Sequence, residues 1–242
     1  MFLALALTLA AHGGVDLDRE GPPAICQPFD IGDAASLPWK AGAFEADTQY
    51  DLALLNHDLA KILDSNDDAM VRMESIRRAV IYVSGFSQNR KKLSAMERKL
   101  ASESLVSMLR ARALAPHIYD KVATEERTAP RLFDLGFALG ALRQLEWREE
   151  YVPHLGNGEA ELEKAAAWEK ASAAMHLGMA LALWGSDRTN QRTGEYFLSA
   201  AKLAGPDQGR LSKNILVCAK RIYNVDTYDE LVSHLSKQIA SS

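Results

Sequence analysis

The chain has 242 residues, with 28 Lys and Arg against 32 Asp and Glu, for a formal net charge of −4. A nucleic-acid surface usually carries a basic surplus, so the balance argues against such a partner. Apolar residues at 48% and charged residues at 25% exclude wholesale disorder, and two cysteines exclude a disulfide-dense scaffold or an all-cysteine zinc site.

Phe2 to Ala11 form an apolar run of ten residues. It is too short to span a bilayer and fits the apolar region of a secretory signal over residues 1–13. No Lys or Arg precedes it, so a buried N-terminal helix is the alternative. Export would place the chain in a periplasmic or extracellular, oxidising compartment, where Cys26 and Cys218 can pair; two thiols are the other reading. Cys218 lies in the stripe Leu211, Ile215, Cys218, Ile222, which makes it core-facing in either case. No stretch is long enough for a stable membrane span.

Residues 14–46 hold Pro22, Pro23, Pro28 and Pro38, half of the eight prolines. Proline fixes φ and cannot donate to a ladder, so an extended arm is expected. Phe29, Ile31, Leu37 and Trp39 are its anchors, too large to leave in water. A ligand-binding flap is the competing reading.

From about residue 47 to the end the pattern is helical, read as one domain over 47–242. About eight helices are expected, over 47–64, 68–84, 94–114, 128–146, 159–184, 190–204, 207–223 and 227–241. Met70, Met73, Ile76, Val80 and Val83 form the stripe of the second. Ser94-x-x-Glu97 and Thr227-x-x-Glu230 are capping boxes. Leu93, Met96, Leu100, Leu105, Met108 and Leu109 are the expected core stripe of the third helix, which Pro116 should stop. Thr128-Ala129-Pro130 should start the fourth, with proline in the tolerated first turn. The fold class is all-α, either a helix-hairpin stack or an irregular helical bundle.

Two helices match at an offset of 42 residues. Phe133-Asp134-Leu135-Gly136-Phe137-Ala138-Leu139 aligns with Met175-His176-Leu177-Gly178-Met179-Ala180-Leu181, and Ala201 and Pro206 follow the second copy. In these residues the chain resembles the tetratricopeptide and Sel1-like families of helical repeats, over about residues 128–224. The second copy carries about four extra residues in its turn, and Arg148 to Gly158 give the first copy no clear second helix. The resemblance implies a binding scaffold with a concave face, without catalysis. A non-repeating bundle, in which Gly136 and Gly178 only permit close packing, is the alternative.

Nucleotide-loop, nucleophile-elbow, haem and zinc-helix signatures are absent from the sequence, and no cofactor, metal ligand or catalytic residue is assigned. The six histidines are scattered singly. Trp39, Trp147, Trp168 and Trp184 are packing anchors or the lining of an aromatic groove. Trp147, Trp184 and Tyr196 are the candidate partner-binding residues of the repeat-like half. Residues 1–60 carry nine acids and two bases, and residues 61–112 carry eleven bases and six acids. Arg77, Arg78, Arg90, Lys91 and Lys92 are therefore a candidate anion patch, unless the acidic N-terminal arm folds over them or they are a solvated face. The reading that follows is an exported, non-catalytic scaffold of a bacterial-type envelope that binds a protein or peptide. The alternatives are a helical enzyme or small-ligand binder with a cleft between arm and body, and a purely structural envelope component. The oligomeric state is not specified by these residues.

Overall fold

The computed structural model describes residues 21–40, 44–85, 93–119, 125–145, 155–168, 171–185, 190–207 and 209–241. The expected signal region, residues 1–13, lies outside them. Among the described residues there is no strand, only one isolated antiparallel bridge between Trp39 and Ala46. The fold is all-α.

Among the described residues ten α-helices follow one another. The arm contains a single turn, α1 (Pro23–Cys26). After a 3-10 turn at Leu52–Leu54 come α2 (Leu55–Ser65), α3 (Ala69–Ser84), α4 (Ala95–Tyr119) and α5 (Glu125–Arg143). Then follow α6 (Glu159–Ala166), α7 (Ala173–Leu183), α8 (Asn190–Ala204), α9 (Arg210–Tyr223) and α10 (Tyr228–Ala240).

The caps follow local chemistry. Asp68 accepts from the Met70 amide at 2.8 Å at the start of α3, and Gly85 ends that helix at φ 63°, a left-handed conformation that costs glycine little. Ser94 and Glu97 bond reciprocally before α4. Thr227 and Glu230 close a full capping box on α10.

The centre of the molecule is α3. All of its sixteen residues except Arg78 and Ser84 are buried, and α1, α2, α4, α5 and α7 pack around it. α5 packs with α6 and α7 with α8, and α5 lies against α7. Beyond α8 come α9 and α10.

Several expected boundaries differ, and α5 starts at Glu125, which puts Pro130 inside the helix and not in its first turn. The Ala-rich stretch expected as one helix over 159–184 is two, α6 and α7. Ser172 accepts from the Met175 amide at 3.2 Å, so a local side-chain cap competes with helix continuation and starts α7 afresh. Pro116 does not stop α4, which continues to Tyr119. A proline lacks the N–H that would reach the Arg112 carbonyl, and that oxygen instead accepts from Arg131 Nη1 at 3.1 Å.

One expected stripe points the wrong way. Leu105 and Leu109 are buried and Met108 is partly buried, but Met96 is 63% exposed and Leu100 56%. Periodicity places these residues on one face of α4 without fixing which stretch of that face another element covers.

Gly136 and Gly178 both permit close approach, to different partners. A Cβ on Gly136 would stand 2.6 Å from Leu162 Cγ of α6. A Cβ on Gly178 would stand 2.4 Å from Met73 Sδ and 2.5 Å from Phe133 Cζ.

Candidate functional site

The arm lies flat on the helices. Phe29, Ile31 and Leu37 are buried and Trp39 is partly buried. Its backbone is satisfied by side chains from far along the chain. The Ala24 amide donates to Gln144 Oε1 at 3.1 Å and the Phe29 amide to Glu74 Oε2 at 3.1 Å. Asp30 and Asn214 exchange two bonds of 2.9 and 3.0 Å. Unpaired buried backbone groups are costly, so these bonds fix the arm's path.

The same contacts correct the anion-patch expectation. Arg77 is fully buried. It donates from Nε to Glu74 Oε2 at 2.7 Å, and from Nη1 to the Ile25 carbonyl at 2.9 Å. Arg78 donates to Glu74 Oε1 at 2.7 Å and to the Leu37 carbonyl at 2.7 Å. Both guanidiniums lie about 5.5 Å from the Trp39 ring centroid, at 5.4 and 5.5 Å. The arm does cover these bases, and it does so with carbonyl oxygens and a tryptophan; the carboxylate that pairs with both is Glu74, on α3 itself. Burial opposes the charge on Glu74, yet Arg77 and Arg78 outweigh it and hold its carboxyl below the ordinary value. Arg90, Lys91 and Lys92 lie outside the described residues.

Of the two readings for Cys26 and Cys218, the structure holds two buried thiols. Cys218 faces the core from α9, as its stripe requires, and burial pushes its thiol up to about 12. Such a thiol is inert at neutral pH.

A separate site forms where α3, α5 and α7 meet. A cavity of about 350 Å³ is lined there by Asp67, Ala69, Arg72, Pro130, Phe133, Trp168, Ser172 and Met175. None of these residues belongs to the arm. The volume falls within the range of small-molecule pockets, as does the mostly apolar lining with a few polar groups.

Arg72 forms the polar wall. Its Nε donates to Asp134 Oδ1 at 3.0 Å and its Nη2 to Asp134 Oδ2. Its Nη1 donates to the Leu63 carbonyl and to the Asn66 carbonyl, the latter at 2.7 Å. Asp134 is 1% exposed. Burial raises its carboxyl to about 6, against the opposing pull of Arg72 and, more weakly, Arg112 and Arg131.

No family model, curated protein or solved structure matches the chain. The chemistry therefore has to be read from the geometry. The Asp134 carboxylate is turned to Arg72, and Arg72 to Asp134 and two carbonyls, so neither is poised as a general base or an electrophile for a bound substrate. Among the described residues no three His, Cys, Asp or Glu side chains converge to hold a metal, and no helix is long and apolar enough to cross a membrane.

Two of the three expected partner-binding residues fall within the described residues. Trp184 caps α7 and is partly buried, its carbonyl accepting from Arg143 Nη2 at 2.9 Å. Tyr196 is partly buried on α8 with its ring 6.1 Å from His176. Trp147 lies outside the described residues. Trp168 does reach a cavity. Arg72 and Asp134 went unnoticed in the sequence. Their signal was a carboxylate inside the apolar run Phe133-Asp134-Leu135-Gly136-Phe137 and an arginine beside the apolar stripe of α3.

Proposed function

We propose that this chain is an exported, non-catalytic helical scaffold that binds another protein. The observation that carries the reading is the outer face of α4. Met96, Leu100 and Leu114 are 63%, 56% and 57% exposed. At 3.6 residues per turn they fall within about 40° of one another around the helix axis, along about 27 Å. Large apolar side chains gathered on one exposed face mark interaction surfaces more often than single scattered ones do. Lys99 and Arg110 stand exposed on the same helix with Glu97 and the partly buried Glu103, so the flanks are of mixed charge and the matching partner is defined by an apolar ridge. The pairings of α5 with α6 and of α7 with α8 support the helical-repeat resemblance, and repeat proteins are binding scaffolds. Export rests on the apolar run Phe2–Ala11.

The test is affinity capture from an envelope fraction with the full chain, tagged at its C-terminus, beside a Met96→Glu/Leu100→Glu variant. The expected result is one stoichiometric protein that the variant fails to retain while its melting temperature stays unchanged. A partner retained equally by both would move the interface off α4. Absence of any partner across salt concentrations would overturn the scaffold reading.

A further inference from the structure

We propose that the cavity between α3, α5 and α7 is a binding site for a small aromatic amine, a planar apolar body with a protonated amino head. This is a site for a small molecule and is independent of the α4 surface.

The walls favour an aromatic body. Phe133 and Trp168 line the cavity with Pro130 and Met175. Phe133 is held before any ligand arrives. Its ring stacks on Phe137 at 6.0 Å with an interplanar angle of 21°, and the bare Cα of Gly178 lies so close that an added Cβ would stand 2.5 Å from its Cζ. A preformed wall lowers the ordering cost of binding.

The charges favour a cation. Arg72 also lines the cavity, but Asp134 cancels its charge through two hydrogen bonds and two carbonyls take further donors. The positive ends of α3 and α7 open at the cavity, yet Asp68 and Ser172 each already accept from one first-turn amide. Arg131, next to Pro130, directs Nη1 to the Arg112 carbonyl. Asp67 differs. It is exposed, lines the cavity, and makes no hydrogen bond or ion pair among the described residues. An ammonium head meets its carboxylate and aromatic faces that attract cations. An anionic head would meet Asp67 and find Arg72 already satisfied.

The experiment is calorimetric titration of the full chain at pH 7 with phenethylamine, 2-phenylethanol and phenylacetate, which share one body and differ in head charge. Phenethylamine should saturate and bind on the order of tenfold tighter than phenylacetate, with the alcohol between them. Asp67→Asn removes only an exposed charge and should bring phenethylamine to within about twofold of the alcohol. Trp168→Ala should weaken all three. Melting curves of both variants establish that they fold. The proposal is overturned if no probe saturates, if phenylacetate binds tightest, or if Asp67→Asn leaves the order and spacing of the three affinities unchanged. Binding unaffected by Trp168→Ala would overturn it too, by putting the probes elsewhere on the molecule.

Discussion

Glu74 and Asp134 are both buried carboxylates held by arginines of α3, yet their charges are supported to different degrees. Glu74, under the arm, receives Arg77, Arg78 and the Phe29 amide. Asp134, behind the cavity, receives Arg72 alone. Burial disfavours both charges. At Glu74 two hydrogen-bonded guanidiniums outweigh it and the carboxyl is held low; at Asp134 the hydrogen-bonded Arg72, with weaker pull from Arg112 and Arg131, does not, and the carboxyl rises to about 6. The balance between burial and the donors set against it separates a carboxylate held in its charged form from one whose carboxyl is raised.

The largest test of this difference is Glu74→Ala. It leaves Arg77 buried without a counter-charge and the Phe29 amide without its acceptor, and should cost about 3–5 kcal/mol of stability in urea unfolding. Faster proteolysis near residues 21–40 should accompany it. A loss below about 1 kcal/mol would mean that the arm is held by its apolar anchors alone.

Arg72→Met is the matching change at the other site. At pH 8 it strands the Asp134 charge and should cost about 3 kcal/mol. At pH 5 the cost should shrink, because a neutral carboxyl no longer needs the guanidinium. Equal losses at both pH values would show that Asp134 stays ionised throughout.

The wild-type chain should show the two signatures in sequence. Asp134 binds its proton more tightly folded than unfolded, with a pKa of about 6 against a model value of 3.8. Its contribution therefore grows as pH falls from about 6 toward 4, and is lost as pH rises through about 6. Glu74 has the opposite sign: its support is present above the ordinary value of 4.5 and is lost below that as the lowered folded pKa is passed. The melting temperature should rise by a few degrees from pH 7 to pH 5 and fall again in stronger acid. Asp134→Asn should flatten the first limb only. A monotonic fall from pH 7 downward would break the comparison.

The smallest effect belongs to the double change Arg72→Met/Asp134→Leu. Replacing a whole buried pair by apolar groups is often close to neutral, so unfolding should shift by no more than about 2 kcal/mol. A large loss would give Arg72 a separate role through its bonds to the Leu63 and Asn66 carbonyls.

The sequence was most readable where the signal was local. The caps at Ser94 and Thr227 and the stripe Met70 to Val83 depend on neighbours a few residues away, and the arm anchors Phe29, Ile31 and Leu37 are legible from side-chain size among prolines. The α6–α7 break at Ser172 was hidden because every residue around it tolerates a helix. Periodicity also says which residues share a face, and not whether another helix covers it; that is why Met96 and Leu100 were expected inside. The cavity was least readable. Arg72 and Asp134 are 62 residues apart, and Trp168 joins them from a third segment. Nothing in local spacing announces that meeting. Arg77 and Arg78 misled for a related reason. A cluster of bases reads as surface until α3 proves to be buried almost all round.

The arm has a consequence for the order of assembly during synthesis. Its backbone partners include Gln144, Asn214 and Arg221, the last accepted by the Cys26 carbonyl at 3.2 Å. A ribosome delivers these residues long after residues 24–30, so the arm has no complete berth until α9 has emerged. For most of its translation the N-terminal segment is a loose leash on a half-built body, open to whatever factor handles nascent chains, and the last helices act as the latch that withdraws it.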